Sequence, residues 1–193
     1  MDSFKKFKEI YKNQFFSLEQ AESLKPNIEP YFRLTGNDCV ICLILNENDE
    51  FIMVKQYRPS LEKFTLETPA GAIEDSETPL EAAKREIREE VGIKCSLLSL
   101  GKHFHLMMNR TNDKTLLFFG METFNLENFV YEEGIEVINI PRRKLFELFL
   151  NGEYFQLAGI SIIKLIEVYL GIDMYKDSYL NIYKKFKTKM NDV

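Results

Sequence analysis

Gly71-Ala72-Ile73-Glu74-Asp75-Ser76-Glu77, then seven residues, then Arg85-Glu86-Ile87-Arg88-Glu89-Glu90-Val91-Gly92-Ile93 is the most informative stretch of this 193-residue chain. Between its halves, Thr78-Pro79-Leu80-Glu81 reads as a helix start, with a threonine N-cap, a proline at the first helical position and a glutamate at the third. Leu80, Ala83, Ile87 and Val91 then recur at helical spacing as one apolar stripe, and Gly92 ends the helix. Glu86, Glu89 and Glu90 stand at i, i+3 and i+4 and emerge on one face beside that stripe. Like charges at these spacings destabilise a helix by about 0.2–0.5 kcal/mol a pair. They also lie near the C-terminal end, where the macrodipole disfavours negative charge. Something positive must compensate. One reading is a solvated acidic face balanced by Lys84, Arg85 and Arg88. The other is a hard divalent cation, since magnesium takes few carboxylates and shares its remaining positions with water and phosphates. On the second reading the helix is a platform that bridges a metal to a pyrophosphate.

Upstream, Tyr31 to Leu45 and Glu50 to Tyr57 are β-rich and flank the polar turn Asn46-Glu47-Asn48-Asp49, which predicts a hairpin. Phe4 to Leu18 reads as a strand or a short helix, Glu19 to Pro30 as a connection, and Phe64 to Thr68 as a short strand. Downstream, strands are expected over Ser96 to His105, Thr115 to Phe124 and Ile135 to Ile140. Helices are expected over Arg142 to Leu150, Tyr154 to Leu170 and Tyr175 to Met190. This order predicts an α+β fold with a mixed sheet rather than a regular parallel repeat.

At 45% hydrophobic and 28% charged residues the chain can bury a sizeable core, which excludes disorder for most of its length. Thirty acids against 25 bases argue against a dedicated nucleic-acid surface. No run is long and apolar enough to span a membrane, and Met1 to Lys12 is too charged for a signal peptide. Three cysteines, an odd count, make no disulfide framework, and Cys39 and Cys42 on one strand face opposite sides and read as core. A soluble cytoplasmic protein is expected.

The opening stretch resembles the Nudix box, G-x5-E-x7-R-E-U-x-E-E-x-G-U with U aliphatic, and matches every specified position over residues 71–93. Chance agreement at a given start is on the order of 10⁻⁹. Gln56-Tyr57-Arg58-Pro59 and Leu66-Glu67-Thr68-Pro69-Ala70-Gly71 are similar to the lead-in of the ADP-ribose and nucleoside-diphosphate-sugar pyrophosphatase branch, so the similarity extends over residues 8–170. The resemblance implies a Nudix-type mixed sheet sandwiched between helices (α/β/α), with a β-rich N-terminal extension. It divides the chain into that extension at 1–35, where dimerisation strands are expected, a hydrolase domain at 36–172 and a C-terminal helix at 173–193.

Carried over by position, the resemblance implies Glu86, Glu89, Glu90 and the carbonyl of Ala70 as ligands of Mg²⁺, with Mn²⁺ as a substitute. Glu77 and Arg85 become a structural pair. Gly71 permits a turn and Gly92 caps the helix. Arg58, Glu67 and Arg110 are placed at the substrate, and Glu89, Glu132 or Glu133 as the general base, Glu133 slightly ahead of Glu132. Where ADP-ribose pyrophosphatases commonly carry a proline sixteen residues past the box, this chain has Asn109, which counts against ADP-ribose in particular. His103 and His105 share one face of the strand expected there and read as packing or substrate contacts. A stacking partner for a base is left open among Tyr31, Phe32 and Tyr57. The implied activity is magnesium-dependent hydrolysis of a nucleotide sugar by a homodimer, with triphosphate or dinucleotide hydrolysis, or a catalytically silent sensor, as the alternatives.

Overall fold

A computed structural model describes residues 3–154 and 156–192. Met1, Asp2, Phe155 and Val193, which fall in the expected N-terminal extension, the Tyr154 to Leu170 helix and the C-terminal segment, lie outside the described residues. In chain order the strands are β1 Lys8–Lys12, β2 Ser17–Ala21, β3 Tyr31–Thr35, β4 Cys39–Leu45, β5 Glu50–Arg58, β6 Lys63–Glu67, β7 Ala70–Ala72, β8 Ile93–Ser99, β9 Thr115–Asn125 and β10 Ile135–Pro141. The α-helices are α1 Pro79–Glu86, α2 Arg142–Leu150, α3 Leu157–Leu170 and α4 Tyr179–Asn191. The fold is α+β with a mixed sheet, as the residues predict, set between helices, as the resemblance implies.

β1, β2 and β3 form a separate three-stranded sheet. The main sheet runs β10-β5-β4-β9-β8, with β6 on β5 and β7 on β4. Its one parallel pairing joins β4 to β9, Cys39 opposite Thr115 through Ile44 opposite Gly120. β4 is buried on both faces, which is why it reads as an unbroken apolar run. Ile41, Leu43 and Leu45 meet Phe119, Ile162, Ile166 and Phe186 on the side of α2, α3 and α4. Val40, Cys42 and Ile44 meet Ala82, Ala83 and Ile87 of the box helix on the other. Cys42 is therefore a core residue, and Cys39, Cys42 and Cys95 are all free thiols.

The expected hairpin forms, with Ile44 opposite Ile52 and Leu45 opposite Phe51. Its turn closes when Asn46 Oδ1 accepts from the Asn48 and Glu50 N–H groups at 3.0 Å each. Beyond it the two strands diverge, and β7 and β6 take up the freed edges of β4 and β5.

Five expectations are corrected. The segment expected as a connection contains part of β2, which is paired on both sides; the ladder bonds outweigh its polar composition. Tyr31 to Leu45 is not one strand, because the chain breaks after Thr35 and its halves join different sheets. The strand after the box starts at Ile93 and stops at Ser99, so His103 and His105 lie in a loop, their rings meeting edge-on at 5.5 Å. Leu80 is 40% exposed and leaves the apolar stripe, where Ala82 is fully buried. The two C-terminal helices each begin several residues later than expected, at Leu157 and Tyr179.

Candidate active site

The box segment enters along β7, loops over residues 73–78 and rises through α1. Thr78 and Glu81 form the expected capping box: the Glu81 N–H donates to Thr78 Oγ1 at 3.3 Å and the Thr78 N–H to Glu81 Oε2 at 2.8 Å. After Glu86 the helix widens into a π-turn over Ile87–Val91 and ends at Gly92, whose φ is +74°. A wider turn holds more residues per revolution, so Glu86 and Glu90, four apart, stand more nearly in line than in an α-helix.

Arg85 organises this segment, and each of its five guanidinium donors has an acceptor. Glu77 takes two bonds at 2.7 and 3.2 Å, and the Ala72 carbonyl one at 2.8 Å. Glu86 takes one at 2.7 Å and Glu89 one at 3.1 Å. Glu77 in turn accepts from the Glu74 N–H at 2.8 Å, which ties the loop to the helix through one pair. Arg88 adds a bond to Glu89 at 3.1 Å.

Glu90 is different. It is 4% exposed, and its one described hydrogen bond is from the Ala70 N–H to Oε2 at 3.1 Å. Burial first, then the charges of Glu86 and Glu132, push its carboxyl up to about 8. Burial also raises Glu86, again with a contribution from Glu132. Gly71 lies in β7 rather than a turn; its service is to lack a Cβ, which would stand 1.9 Å from Glu86 Oε1.

Two further groups reach the pair. Arg58 makes a two-pronged bridge to Glu67 at 2.7 and 2.6 Å, and Thr65 Oγ1 donates to the same carboxylate at 2.5 Å. The Arg58 charge also acts on Glu90. On the opposite side the segment after β9 packs against the end of the box helix. The Leu126 N–H donates to the Gly92 carbonyl at 2.9 Å, and the Phe129 ring occupies the space a Cβ on Gly92 would need. Glu132 and Phe129 line, with Arg88 and Glu89, a cavity of about 640 Å³.

The geometry thus brings together Arg58, Glu67, Ala70, Glu77, Arg85, Glu86, Glu90 and Glu132. Glu89 is turned toward Arg85 and Arg88, and no described interaction carries Glu133 to the cluster. Arg110 stands apart, with its guanidinium 5.1 Å over the Tyr31 ring, while the Tyr31 hydroxyl donates to the Asn109 carbonyl. His105 Nδ1 lies 2.9 Å from the Asp113 carbonyl. Among the described residues no three His, Cys, Asp or Glu side chains already stand at metal-binding spacing. The donor set nevertheless fits a hard cation: a buried carboxylate, Glu90, and a half-buried one, Glu86, both raised by loss of solvent, with a third acid, Glu132, acting on each. Sequence reading missed Phe129 and Gln156. Neither belongs to a motif, and only their placement against Gly92 and Thr68 singles them out.

Comparison with known proteins agrees with this layout. The model of the NUDIX domain family matches residues 37–144. The ADP-ribose pyrophosphatase of Bacillus subtilis (strain 168) is 29% identical over 119 residues, 60% of this chain and 64% of that protein. The mouse (Mus musculus) ADP-sugar pyrophosphatase is 56% identical over 43 residues, 22% of this chain and 20% of that protein. The mouse 8-oxo-dGDP phosphatase NUDT18 is 37% identical over 87 residues, 43% of this chain and 27% of that protein. The chain thus spans less than two thirds of each of these curated relatives. A solved structure described as an ADP compounds hydrolase superposes with a TM-score of 0.72 at 20% identity, over 87% of this chain and 93% of that one, which is a likeness of fold. Because the matched family covers more than half of its length, including the whole box, the chain belongs to the NUDIX family.

Proposed function

We propose that the protein is a magnesium-dependent hydrolase of nucleoside diphosphates linked to a sugar, ADP-ribose or an ADP-hexose, yielding AMP and a sugar phosphate. The observation that carries this is the pair Glu86 and Glu90, a half-buried and a buried carboxylate whose ionisation is opposed by burial and by neighbouring acids, beside Arg58. Such a pair is unstable as anions until a cation arrives, and a doubly charged pyrophosphate bridge is unreactive toward water until its charge is masked. The names of the relatives that share the lead-in and box direct the reading to ADP-linked sugars.

Glu86 and Glu90 would hold Mg²⁺, or Mn²⁺ in its place, with the Ala70 backbone alongside. When bound, the metal supplies charge neutralisation at the non-bridging phosphate oxygens and a more acidic water. Arg85 keeps the Glu86 carboxylate aimed and the loop docked. Arg58 uses two guanidinium nitrogens on Glu67, and this bridge orients its remaining donors toward a phosphate oxygen. Glu132 takes the proton of the attacking water as its oxygen bonds to phosphorus, the bridging P–O bond breaks and the leaving phosphate departs. Glu132 is preferred to Glu89, whose oxygens are engaged by two arginines, and to Glu133, which no described interaction brings to the cluster.

The three-stranded sheet supports the homodimer reading, because Ile10, Tyr11, Phe32 and Leu34 are 39–54% exposed on it. Light scattering on the purified chain tests this, and a monomer at micromolar concentration would reject it. Free thiols throughout fit a reducing, cytoplasmic compartment.

The deciding experiment is a turnover panel with magnesium and with chelator: ADP-ribose, ADP-glucose, GDP-mannose, UDP-glucose, a dinucleoside polyphosphate and a nucleoside triphosphate. Metal-dependent cleavage of an ADP-linked sugar ahead of the rest is expected. Preference for the triphosphate, or no cleavage at all, overturns the reading.

A further inference from the structure

A cavity of about 400 Å³ opens between α1 and β8. It stands apart from the carboxylate pair. Ala70, whose N–H binds Glu90, and Gly71, whose missing Cβ makes room for Glu86, lie in β7, and β4 and β9 stand between β7 and β8. The inner wall of the cavity is apolar. Ile87 and Leu97 are buried, and burial pushes the Cys95 thiol up to about 12, so at neutral pH it stays uncharged and packs as a small hydrophobe. A space of this size is ample for a small molecule, and such pockets are commonly apolar with a few polar groups that fix orientation.

The mouth is cationic. Lys84 and Arg88, four apart on one helix face, and Lys94 near the start of β8 all line it and are exposed. Among the described residues, neither the Lys84 nor the Lys94 side chain makes a hydrogen bond or ion pair. The acid beside them is already engaged, since Glu81 Oε2 accepts from the Thr78 N–H and hydroxyl at 2.8 and 2.7 Å. Arg85 also lines the cavity, but its donors are all held by Glu77, Ala72, Glu86 and Glu89. Arg88 makes one described bond, to Glu89 at 3.1 Å, between two half-exposed side chains. An anion at the mouth would relieve the repulsion among these three cations, while their aliphatic stems extend the apolar wall outward. A small inorganic anion would leave the inner wall unfilled, and a neutral apolar molecule would leave the charges unmatched. The two features together call for one molecule with an apolar body and an anionic end. Arg88 also borders the cavity that holds Glu89 and Glu132, so such an anion competes with Glu89 for its guanidinium.

We infer that this cavity binds a small anionic amphiphile, a carboxylate on an alkyl body, with its charge held by Lys84, Lys94 and an Arg88 drawn away from Glu89. The inference stands apart from the hydrolase reading, and its test needs no turnover. Calorimetry on the metal-free protein compares octanoate, octanol and octylamine, three probes that share one tail and differ in charge. Wild type should bind octanoate more tightly than octanol, and octanol more tightly than octylamine. Lys84→Glu and Lys94→Glu, one on the helix and one on the strand, should each weaken octanoate by about 2- to 30-fold, the loss of one exposed ion pair and the gain of one repulsion. Lys25→Glu makes the same charge change at an exposed position between β2 and β3 and should leave octanoate affinity unchanged. Glu89→Gln, which releases Arg88, should tighten octanoate by up to about fivefold. No octanoate binding by wild type at millimolar concentration, octylamine bound as tightly as octanoate, or wild-type octanoate affinity in both cavity-lysine variants would overturn the site. An equal loss in Lys25→Glu would overturn it too, as a bulk effect of net charge. Octanoate affinity in Glu89→Gln no higher than in wild type would overturn the part assigned to Arg88.

Discussion

Replacing Glu90 by glutamine should make the metal-free protein more stable while abolishing its turnover. The glutamine keeps an oxygen for the Ala70 N–H and adds no volume, so the fold loses nothing it uses. What it removes is a buried charge. In the unfolded chain this carboxyl ionises near 4.5, and in the folded chain near 8. Over that interval the folded state binds the extra proton, so raising the pH favours unfolding, by about 1.4 kcal/mol per pH unit. The contribution is absent below about pH 4.5, grows through neutrality, and reaches about 4 kcal/mol against the fold at pH 7.5. Urea unfolding in chelator from pH 5 to pH 8 checks this. Wild type should lose stability relative to Glu90→Gln, and the gap should widen with a slope near one proton. Magnesium should then close the gap, because a ligand that binds only the native state stabilises it by mass action, and only wild type offers the site. A variant no more stable than wild type at pH 7.5, or a gap that does not change with pH, would refute the claim that Glu90 is held as a strained acid.

Three further outcomes follow from other contacts. Arg142 is 2% exposed and bonds bidentately to Asp49 at 2.6 and 3.0 Å, so Asp49→Ala, which strands a buried cation, should cost about 3–5 kcal/mol in urea unfolding. Arg142→Leu in the same background should recover part of that loss. Glu122 accepts from Ser96, Tyr183 and Lys187, which hold its carboxyl down to about 2. Its contribution is therefore complete above about pH 4.5 and lost as the pH falls toward 2. Because the group is partly solvated, Glu122→Gln should be destabilised by only about 1–2 kcal/mol at pH 6, with the difference vanishing near pH 2. Finally, Glu132→Gln should lower kcat at saturating magnesium by about 10²-fold or more, while Glu133→Gln stays near wild type. The opposite order would move the base to Glu133.

Much of the architecture was legible because it follows from short-range rules. The capping box at Thr78 and Glu81, the turn at Asn46 to Asp49 and the doubly buried run of β4 each need only a few neighbouring residues. The errors fall where pairing partners are distant. β2 is a strand because β1 and β3 flank it, and β3 parts from β4 because each finds a different sheet, neither of which local composition reveals. In the site, spacing placed Glu86 and Glu90 on one side of a helix but could not show that the helix widens there. Nor could it show that Gly71 is a seat for the Glu86 carboxylate rather than a turn residue. Gln156 is 88 residues from Thr68, and no periodicity connects them.

The two readings of the acidic helix, a solvated face balanced by its own bases or a metal platform, turn out to describe different residues. Glu89 fits the first: it is paired with Arg85 and Arg88, and a helix C-terminal turn tolerates its charge on those terms. Glu86 is shared, half-neutralised by Arg85 yet pushed up by burial. Glu90 is the residue on which the proposed metal platform rests: Arg85 has spent all five donors elsewhere, and Arg58, two of whose donors hold Glu67, acts on Glu90 only through its charge. The same arginine that quiets two of the carboxylates therefore leaves the third without an arginine hydrogen bond, with only the Arg58 charge acting on it. A protein that needed only a stable helix would place an apolar residue at position 90, where the surroundings already exclude water. Keeping a carboxylate there should cost stability in the metal-free protein, a cost that the proposed cation would offset, so the stability of Glu90→Gln against wild type, with and without magnesium, bears directly on the metal reading.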